Sequence, residues 1–480
     1  MKKAFAFLWI VLAPVVSAAQ SERIVLTHVT VIDMVAPQPK TDMTVVIEGN
    51  RIVSIAKSSG IRVGKNSRLI DANGKYLIPG LWDMHVHYFN DPFTAETATQ
   101  LLLANGITGI RDMSSPVDKI VPWRDSVRRN ELLGPRAYVA GPIIDGPPPA
   151  TEGDILVTTP EEGRKAVRSL AEKGVDFIKI YEMLRSDVFA AIIDEANKHH
   201  LPVAGHLPMS MDARVASDMQ MKSFEHLRNV EFACSTREES LRKERIAALD
   251  KGINSNGRAL RGQILNAQRV TALETQDTSL CDAFIAKLIR NNTWQTPTLF
   301  LDEAPLTFFD ANRMARVRGY EDYMNKDYKE WWENQTASFL KAPETARKNP
   351  TNYALWQRGF VLRLQKAGVK LLAGSDSPNL LTPTGFGLYE ELLALKNAGL
   401  SNFEVLQTAT INPARYLNIQ KSLGTVAKGK IADLVLLNKN PLENIENLNS
   451  IGGVFVNGVF LDRNALNTML EEVKQKAKQN

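Results

Sequence analysis

The sequence predicts an α/β fold, in which a (β/α)8 TIM barrel carries a small β-sandwich domain built from both ends of the chain. Two observations lead to this prediction. Runs rich in β-branched residues, with no helical pattern between them, occur near both termini. Between these ends, helical segments stop at glycine and an apolar run follows at once, which is typical of parallel strands joined by helices.

The small β domain is predicted from four segments. Strand patterns rich in β-branched residues occur at 24–35 and 43–56, and similar patterns occur at 431–437 and 451–461. In the last of these, Asn457-Gly458 is a strong hairpin signal, because both residues readily adopt positive φ. We therefore expect the two chain ends to fold together as one domain.

The central part of the chain contains eight apolar runs that we predict to be barrel strands. Helices stop at glycine before several of them, as in Asn105-Gly106-Ile107. One helix start is also clear, since Thr159 is a candidate N-cap, Pro160 would take the first helical position and Glu162 would complete a capping box. The predicted strands are 81–87, 107–112, 136–140, 175–181, 202–206, 222–226, 294–299 and 369–374.

These elements divide the chain into regions. Residues 80–421 would form the barrel, which is longer than the ~250 residues of a minimal barrel, so an insertion is required. Charged helical sequence and several aromatic residues place the insertion at 236–345. It could act as a lid or specificity element, form a contact between subunits, or only decorate the surface. The other predicted regions are a signal peptide at 1–19, sandwich segments at 20–79 and 422–463, and a C-terminal helix at 464–480.

Composition limits the class of protein and of any metal site. Of the 480 residues, 44% are hydrophobic and 23% are charged, which excludes a disordered chain and a multi-span membrane protein. The net charge of +5 is small and scattered, so we expect no nucleic-acid partner. Only two cysteines, Cys234 and Cys281, are present, which excludes a disulfide framework and a thiolate zinc cluster. Any metal must therefore be bound by histidine, carboxylate or a modified side chain.

The N-terminus has the organisation of a secretory signal. Lys2 and Lys3 precede an apolar run at 4–16, and the small residues at 16–19 suit a signal peptidase. The run is shorter than the roughly 18–20 apolar residues that span a bilayer, so we expect cleavage, no membrane attachment afterwards, and a periplasmic or secreted protein. Export would permit a bridge between Cys234 and Cys281, although the sequence alone does not place the two sulfurs.

Four of the seven histidines fall at the carboxyl ends of predicted strands, where barrel enzymes place their chemistry. Two of them share one face of strand 1, because side chains alternate along a strand. A lysine between two isoleucines in strand 4 would point into the barrel, where an unpaired charge is costly. The candidate site residues are His85, His87, Lys179, His206, His226 and Asp376.

Each of these residues also has a purely structural explanation. A lone His-x-His motif is more often two partly exposed strand histidines than a metal site. Asp376 could cap the following helix, and Lys179 could pair with Glu225. A non-catalytic barrel that had lost its metal should lack several candidate residues, whereas all six are present. Because the structural explanations would have to hold independently at several strand ends, the joint pattern favours a metal centre.

Further motifs extend this pattern over nearly the whole chain. They are Leu77-Ile78-Pro79-Gly80, Gly109-Ile110-Arg111-Asp112, Phe177-Ile178-Lys179-Ile180, Thr296-Pro297-Thr298-Leu299, Ala409-Thr410-Ile411-Asn412-Pro413-Ala414 and the run at 424–434. With these motifs the sequence resembles the amidohydrolase superfamily of metal-dependent hydrolases. Within it, the sequence is similar to the imidazolonepropionase-like group, which includes Xaa-Pro dipeptidases.

The resemblance implies a centre with two divalent metal ions, zinc by default for such ligands. One ion would be bound by His85, His87 and Asp376 and the other by His206 and His226, with Lys179, carboxylated by carbon dioxide, as the bridge. The ions would activate a water molecule as the nucleophile. Asp376 would then act as general base and, after that, as general acid.

An alternative with one ion stays open at this stage. Its ligands would be His85, His87, His206 and Asp376. In that case His226 would stabilise the oxyanion and Lys179 would not be carboxylated.

The resemblance further implies that the enzyme hydrolyses an amide (C–N) bond, in a dipeptide or an N-acyl amino acid. Arg111 after strand 2 and Tyr181 beyond Lys179 could hold a substrate carboxylate, although Arg111 could equally pair with Asp112. The alternative function is that of a mononuclear-metal deaminase or cyclic-amide hydrolase on the same scaffold. We expect a small-molecule amide or peptide substrate and a homo-oligomer.

Overall fold

The computed structural model describes residues 23–60, 67–149, 153–252 and 255–479, so the predicted signal peptide lies outside the described residues. Near the N-terminus, strands follow one another along the chain. They are β1 (Arg23–Val31), β2 (Lys40–Glu48), β3 (Arg51–Lys57), β4 (Ser67–Asp71) and β5 (Tyr76–Pro79).

The central region alternates strands with helices, and after residue 296 it is mainly helical. The first part consists of β6 (Leu81–Val86), α1 (Pro92–Ala104), β7 (Ile107–Asp112), α2 (Val117–Arg128), β8 (Arg136–Val139), β9 (Ile144–Asp145), β10 (Ile155–Leu156), α3 (Pro160–Glu172), β11 (Ile178–Ile180), α4 (Ser186–Lys198), β12 (Val203–Gly205), α5 (Ala213–Asp218), β13 (Ser223–Glu225), α6 (Glu238–Lys251), α7 (Gly257–Glu274), α8 (Thr278–Arg290) and β14 (Trp294–Thr296). The second part consists of α9 (Leu299–Asp302), α10 (Ala304–Thr307), α11 (Ala311–Arg318), α12 (Lys326–Lys341), α13 (Glu344–Ala367), α14 (Gly387–Asn397), α15 (Asn402–Thr408) and α16 (Ile411–Tyr416).

The C-terminal region returns to the first sheet. Its elements are β15 (Leu434–Leu437), β16 (Ile451–Val456), β17 (Val459–Asp462) and α17 (Arg463–Gln479). β15 pairs antiparallel with β5, which joins the chain ends in one sheet of order β17-β16-β15-β5-β1-β2-β3, while β4 runs parallel to β1. The predicted sandwich is therefore one hydrogen-bonded sheet of eight strands that branches at β1.

The parallel strands of the central region form two sheets, of order β6-β7-β8 and β10-β9-β11-β12-β13-β14. The segment expected as the eighth strand lies between β14 and β6. The backbone N–H of Leu372 donates to the carbonyl of Gln295 at 2.9 Å, and the carbonyl of Ala373 accepts from Met84 at 2.9 Å. This segment pairs with β14 and β6 through isolated bridges rather than a continuous ladder, so the regular strand predicted at 369–374 is not present.

The helix boundaries that local sequence signals predicted are confirmed. Glu162 N–H donates to the Thr159 hydroxyl at 3.2 Å and the Glu162 carboxylate accepts from Thr159 N–H, so α3 begins with the predicted capping box. Gly106, Gly174 and Gly368 have φ values of 76°, 77° and 92°. This left-handed conformation ends each preceding helix, as the sequence pattern predicted.

Strand β14 divides the predicted insertion at 236–345 into two parts. Helices α6, α7 and α8 precede the strand, and α9 to α12 follow it. Cys234 and Cys281 form a disulfide, which joins the 3-10 turn Glu231–Cys234 to α8. Among the described residues, no helix is both long enough and apolar enough to cross a membrane.

Candidate metal centre

The four candidate histidines lie at or just beyond the carboxyl ends of parallel strands. His85 lies near the end of β6, Lys179 is the central residue of β11, His206 follows β12 and His226 follows β13. Asp376 lies beyond Ala373, in the segment between β14 and β6. Because the carboxyl ends of parallel strands meet at one edge of a sheet, the fold brings these side chains together.

One side of the site contains His85, His87 and Asp376, whose ligand atoms all lie within 4.8 Å of one another. Nε2 of His85 and Nε2 of His87 lie 3.1 Å and 3.0 Å from the same oxygen, Oδ1 of Asp376. The other oxygen of Asp376 accepts a hydrogen bond from Nδ2 of Asn379 at 3.0 Å. These three side chains thus offer two imidazole nitrogens and one oriented carboxylate to a single point.

The other two histidines continue this group. The ring centre of His226 lies 4.6 Å from that of His85 and 4.5 Å from that of His206. Nδ1 of His206 donates to Oε1 of Glu182 at 2.6 Å, and Nδ1 of His226 lies 2.6 Å from Oγ1 of Thr298. Since Nδ1 is engaged in each ring, Nε2 is the nitrogen available to a metal ion, as in histidine ligands that a neighbouring group orients.

Backbone strain is concentrated at the same place. His226, Thr298 and Asp376 have positive φ values of 63°, 44° and 57°. Such conformations are costly for residues other than glycine, and they persist where the surrounding structure fixes a side chain in a functional position. Here they fix the candidate ligand His226, the threonine that contacts it, and the carboxylate on which two histidines converge.

Arg111 does not line the site but supports it from behind. Its side chain is 0% exposed, and Nη2 donates to both carboxylate oxygens of Glu225 at 2.8 Å. Oε2 of Glu225 also lies 2.9 Å from Nδ1 of His85. The remaining N–H groups of Arg111 donate to Met84 O, Ser223 Oγ, Tyr416 OH and Thr296 Oγ1.

This network corrects two expectations. Every N–H group of Arg111 is engaged inside the protein, so the guanidinium cannot hold a substrate carboxylate, and its partner is Glu225 rather than Asp112. Glu225 likewise pairs with Arg111 and His85, rather than serving only as the partner of Lys179. No local pattern indicates this pairing, because 114 residues separate Arg111 from Glu225.

Burial sets the charge states of the centre. Burial lowers the pKa of His85, and it lowers the pKa of His206 and His226 well below the usual range, which favours the neutral form that binds metals. Burial also lowers the pKa of Lys179 to about 8, against the opposing charges of Glu225 and Asp376. The donor set of four imidazoles, one carboxylate and one buried amine, with three of the rings oriented from behind, fits divalent metal ions.

Tyr181 lies at the rim of the centre, where the insertion covers it. Its half-buried ring lies 4.0 Å from the His206 ring, and its hydroxyl accepts from Nη1 of Arg261 on α7 at 3.0 Å. An apolar cluster that includes Met183 and Met209 from the barrel loops extends to side chains of α6 and α7. The first part of the insertion therefore lies over the ends of β11 and β12.

The second part of the insertion reaches the opposite side of the site. The hydroxyl of Tyr328 on α12 donates to the carbonyl of Asn379, the residue whose side chain binds Asp376. Sequence reasoning did not single out Tyr328, Asn379, Arg228 or Arg261, because their roles depend on contacts between distant segments. Thr298 had a visible signal, since it lies in the Thr296-Pro297-Thr298 motif.

Comparison with known proteins agrees with this geometry. The model of the amidohydrolase family matches residues 76–235 and 359–461, more than half of the chain. The structure of a Xaa-Pro dipeptidase with methionine bound in its active site is 20% identical, covers 92% of this chain and 100% of that chain, and has a TM-score of 0.65. Bottromycin amidohydrolase is 20% identical over 94% of this chain and 90% of its own, with a TM-score of 0.70. At this level of identity the likeness shows a shared fold.

Curated sequences match over shorter stretches. The 5-methylthioadenosine/S-adenosylhomocysteine deaminase of Caldanaerobacter subterraneus subsp. tengcongensis is 32% identical over 103 residues, which are 19% of this chain and 23% of that protein. The chain matches only 12% of the length of adenine deaminase 2 of Shouchella clausii and 14% of the length of the adenine deaminase of Rubrobacter xylanophilus.

Proposed function

The chain belongs to the amidohydrolase family, and on that premise we propose that it uses divalent metal ions to hydrolyse an amide (C–N) bond. One observation carries the proposal. Four histidines, Asp376 and Lys179 converge at the carboxyl ends of parallel strands, and hydrogen bonds on Nδ1 orient three of the rings. Such orientation from behind is typical of histidines that bind a metal ion.

We assign the ligands of two ions as follows. One ion would be bound by His85, His87 and Asp376 and the other by His206 and His226, with the carbamate of Lys179 between them. The bridging assignment rests on the position of Lys179, whose side chain is 1% exposed. Burial lowers the pKa of this lysine, and the charges of Glu225 and Asp376 oppose that effect. Zinc is the ion that this set of nitrogen and oxygen donors favours. Bound there, the ions would supply a Lewis acid for the scissile carbonyl and lower the pKa of water.

The residues of the chain would perform the proton transfers and the positioning. Asp376 would take the proton of the attacking water and pass it to the leaving nitrogen, because its carboxylate is buried among the histidines and fixed by Asn379. Arg111 and Glu225 would keep His85 in place during turnover.

The substrate we propose is a dipeptide or an N-acyl amino acid. Two of the proteins that share the fold support this class, since one is named as a Xaa-Pro dipeptidase and another as an amidohydrolase of bottromycin. A second candidate is deamination of a heterocycle, which is favoured by the matches to adenine deaminases and to the deaminase of methylthioadenosine. The reactions release different products, an amino acid in one case and ammonia in the other.

A product screen separates these functions. Zinc-loaded protein would be incubated with dipeptides, N-acyl amino acids and purine nucleosides, and both free amino acid and ammonia would be measured. Release of amino acid without ammonia is the expected result. If ammonia is released from a purine nucleoside and no amide is cleaved, the proposed amide hydrolysis is wrong and the protein is a deaminase.

Metal analysis separates the two-ion centre from the one-ion alternative. The wild type is expected to bind about two ions per chain, and Lys179→Ala to bind fewer, because its bridge is lost. A fully active enzyme with one ion per chain would contradict the two-ion assignment. Lys287→Ala is a suitable control, because Lys287 lies on α8 and pairs with Asp218 away from the centre.

We also propose that the two parallel sheets form one eight-fold barrel and that the protein is exported. Backbone bonds that connect the sheets support the barrel, among them Asp176 N–H to Val139 O at 2.8 Å and Met84 N–H to Ala373 O at 2.9 Å. The disulfide of Cys234 and Cys281 supports a periplasmic or secreted location, where such bonds persist. Assembly as a homo-oligomer stays a prediction.

A further inference from the structure

A cavity with a volume of about 310 Å³ lies between α7 and α13, and residues of α9 and α10 also line it. On α7, Asn266, Arg269, Val270 and Leu273 face it, because residues three or four positions apart share one side of a helix. In the part of the chain that the structure describes, none of the lining residues is a candidate metal ligand. The volume lies at the lower end of the ~300–1,000 Å³ range of ligand pockets, which suits a small molecule.

Arg269 gives this cavity a cationic group with open N–H bonds. Its Nε donates to Oε1 of the fully buried Glu231 at 3.0 Å, and its Cζ lies 3.8 Å from the centre of the Tyr353 ring. Nη1 and Nη2 have no hydrogen-bond partner among the described residues, and Nη2 is buried. A buried donor without a partner is uncommon, because it costs free energy. The ring covers one face of the guanidinium, so the edge that carries Nη1 and Nη2 stays available to a carboxylate.

Negative charge and apolar side chains line the same cavity. Asp302, which already accepts from Arg228 and Gln357, is partly exposed there, and Glu274 is exposed. A ligand with only a carboxylate would be repelled by these two acids, and a ligand with only a cationic group would be repelled by Arg269. A zwitterion avoids both costs. The apolar lining residues are Val270, Leu273, Leu301, Pro305 and Pro350.

We propose that this cavity is a second binding site, which takes a free α-amino acid with an apolar side chain. The carboxylate of the ligand would bind the open edge of Arg269, and its ammonium group would face Asp302 and Glu274. Its side chain would lie against the apolar walls, where burial of its surface would favour binding. The proposal does not rest on amide hydrolysis, because the cavity and its charges are separate from the metal ligands.

The wall of the cavity connects this site to the metal centre. The hydroxyl of Tyr353 donates to the carbonyl of Leu227 at 3.0 Å. Nε2 of Gln357 donates both to Oδ2 of Asp302 and to the carbonyl of His226, each at 2.8 Å. His226 and Leu227 have positive φ values of 63° and 52°, so these bonds hold a strained segment beside a candidate metal ligand. An amino acid bound to Asp302 would therefore act on the segment that carries His226.

Calorimetry on the zinc-loaded protein tests the class of ligand. L-leucine would be compared with L-leucinamide, which lacks the carboxylate, with isocaproate, which lacks the ammonium group, and with glycine, which lacks the apolar side chain. L-leucine is expected to bind, and loss of either charged group is expected to weaken binding by roughly 10- to 100-fold. Glycine is expected to bind more weakly, because it buries no apolar side chain. No binding of L-leucine, or equal binding of any of the three analogues, would overturn the proposal.

Variants distinguish the cavity from the metal centre, where a product of hydrolysis would also bind. Val270→Phe fills the cavity and keeps the pair of Arg269 with Glu231, whereas Arg269→Met removes the partner of the carboxylate. Both are expected to weaken binding of L-leucine by roughly tenfold or more. Ala267→Phe is the matched control, because Ala267 is exposed on the same helix and does not line the cavity.

The metal centre supplies the opposite control. The double variant His85→Ala, His87→Ala is expected to bind L-leucine still. Loss of binding in this variant, with unchanged binding in Val270→Phe, would place the amino acid at the metal centre and overturn the proposal. If Arg269→Met does not fold, because Glu231 is then buried without its counter-charge, Val270→Phe decides the outcome.

The proposed function fails or stands separately. If amides are cleaved and L-leucine does not bind in the cavity, amide hydrolysis stands and the second site is wrong. If L-leucine binds, is lost in Val270→Phe, and no amide is cleaved, the second site stands and the proposed function is wrong.

Discussion

The two sides of the metal centre are built differently. The strand-1 side is defined here as His85, His87 and Asp376 with Glu225 and Arg111 behind them, and its supporting pair of charges, Glu225 and Arg111, is fully buried. The insertion side, defined as His206 and Tyr181 with Glu182, Arg228 and Arg261 around them, includes arginines that are about one fifth exposed.

This difference separates two tasks. On the strand-1 side, the hydrogen bonds of Arg111 are all satisfied within the protein, so the ligands are held with little freedom. On the insertion side, Arg261 on α7 uses Nη1 to contact Tyr181 and Glu182. Its Nε and Nη2 have no hydrogen-bond partner among the described residues. The strand-1 side is therefore suited to fixing a metal ion, and the insertion side, which also supplies the candidate ligand His206, to recognising the substrate.

The largest expected effect follows from removing ligands on the strand-1 side. His85→Ala with His87→Ala removes two of the three groups that converge there, so turnover across an amide and peptide panel is expected to fall to background. Metal content, measured by mass spectrometry, is expected to fall with it. His28→Ala is the control, because His28 is exposed in the small β domain and contacts Asp42. Unchanged turnover in the double variant would remove the metal-dependent mechanism.

The next effect tests the support behind His85. Glu225→Gln leaves the buried Arg111 without its counter-charge, which is expected to cost about 3–5 kcal/mol of unfolding free energy. Chemical denaturation measures this loss. Arg111→Met combined with Glu225→Gln should recover part of the stability, because the uncompensated charge is then absent. A double variant as unstable as the single one would mean that packing, and not charge, dominates on this side.

The strand-1 side was also the more predictable from sequence. His85, His87 and Asp376 carry local signals, since each lies at or near the end of an apolar run. Arg111 was misassigned because its role depends on Glu225, which is distant in sequence and adjacent in space.

The insertion side offered weaker signals. Arg261 belongs to a charged helical stretch in which nothing distinguishes it from Arg258, until the fold places one of them against Tyr181. The eighth strand is a second case in which the local pattern was not sufficient. The apolar sequence at 369–374 predicted a regular strand, whereas the structure has only isolated bridges there. Local pattern thus predicts which residues reach the site, and long-range contacts determine what supports them.

A smaller effect is expected from Glu182, the counterpart of Glu225 on the insertion side. Glu182→Gln weakens the hydrogen bond to Nδ1 of His206, which is expected to lower the affinity for one metal ion by roughly 10- to 100-fold. Its cost in stability should be below that of Glu225→Gln, because Arg261 can turn toward water. Titration against a chelator measures the affinity, and Glu161→Gln, an exposed residue of α3, is the control. A stability loss equal to that of Glu225→Gln would contradict the contrast between the two sides.

The smallest effect is expected at Tyr181, and it tests whether the insertion side acts in binding or in chemistry. Tyr181→Phe keeps the ring that lies against His206 and removes the hydroxyl that accepts from Arg261. One hydrogen bond contributes about 0.5–1.5 kcal/mol, so KM for an N-acyl amino acid should rise by roughly two- to tenfold while kcat stays nearly constant. Tyr76→Phe on β5 is the control in the steady-state kinetics. If kcat falls instead and KM does not change, Tyr181 acts on the reacting atoms. The proposed division of tasks between the two sides would then be wrong, because the insertion side would take part in the chemical step.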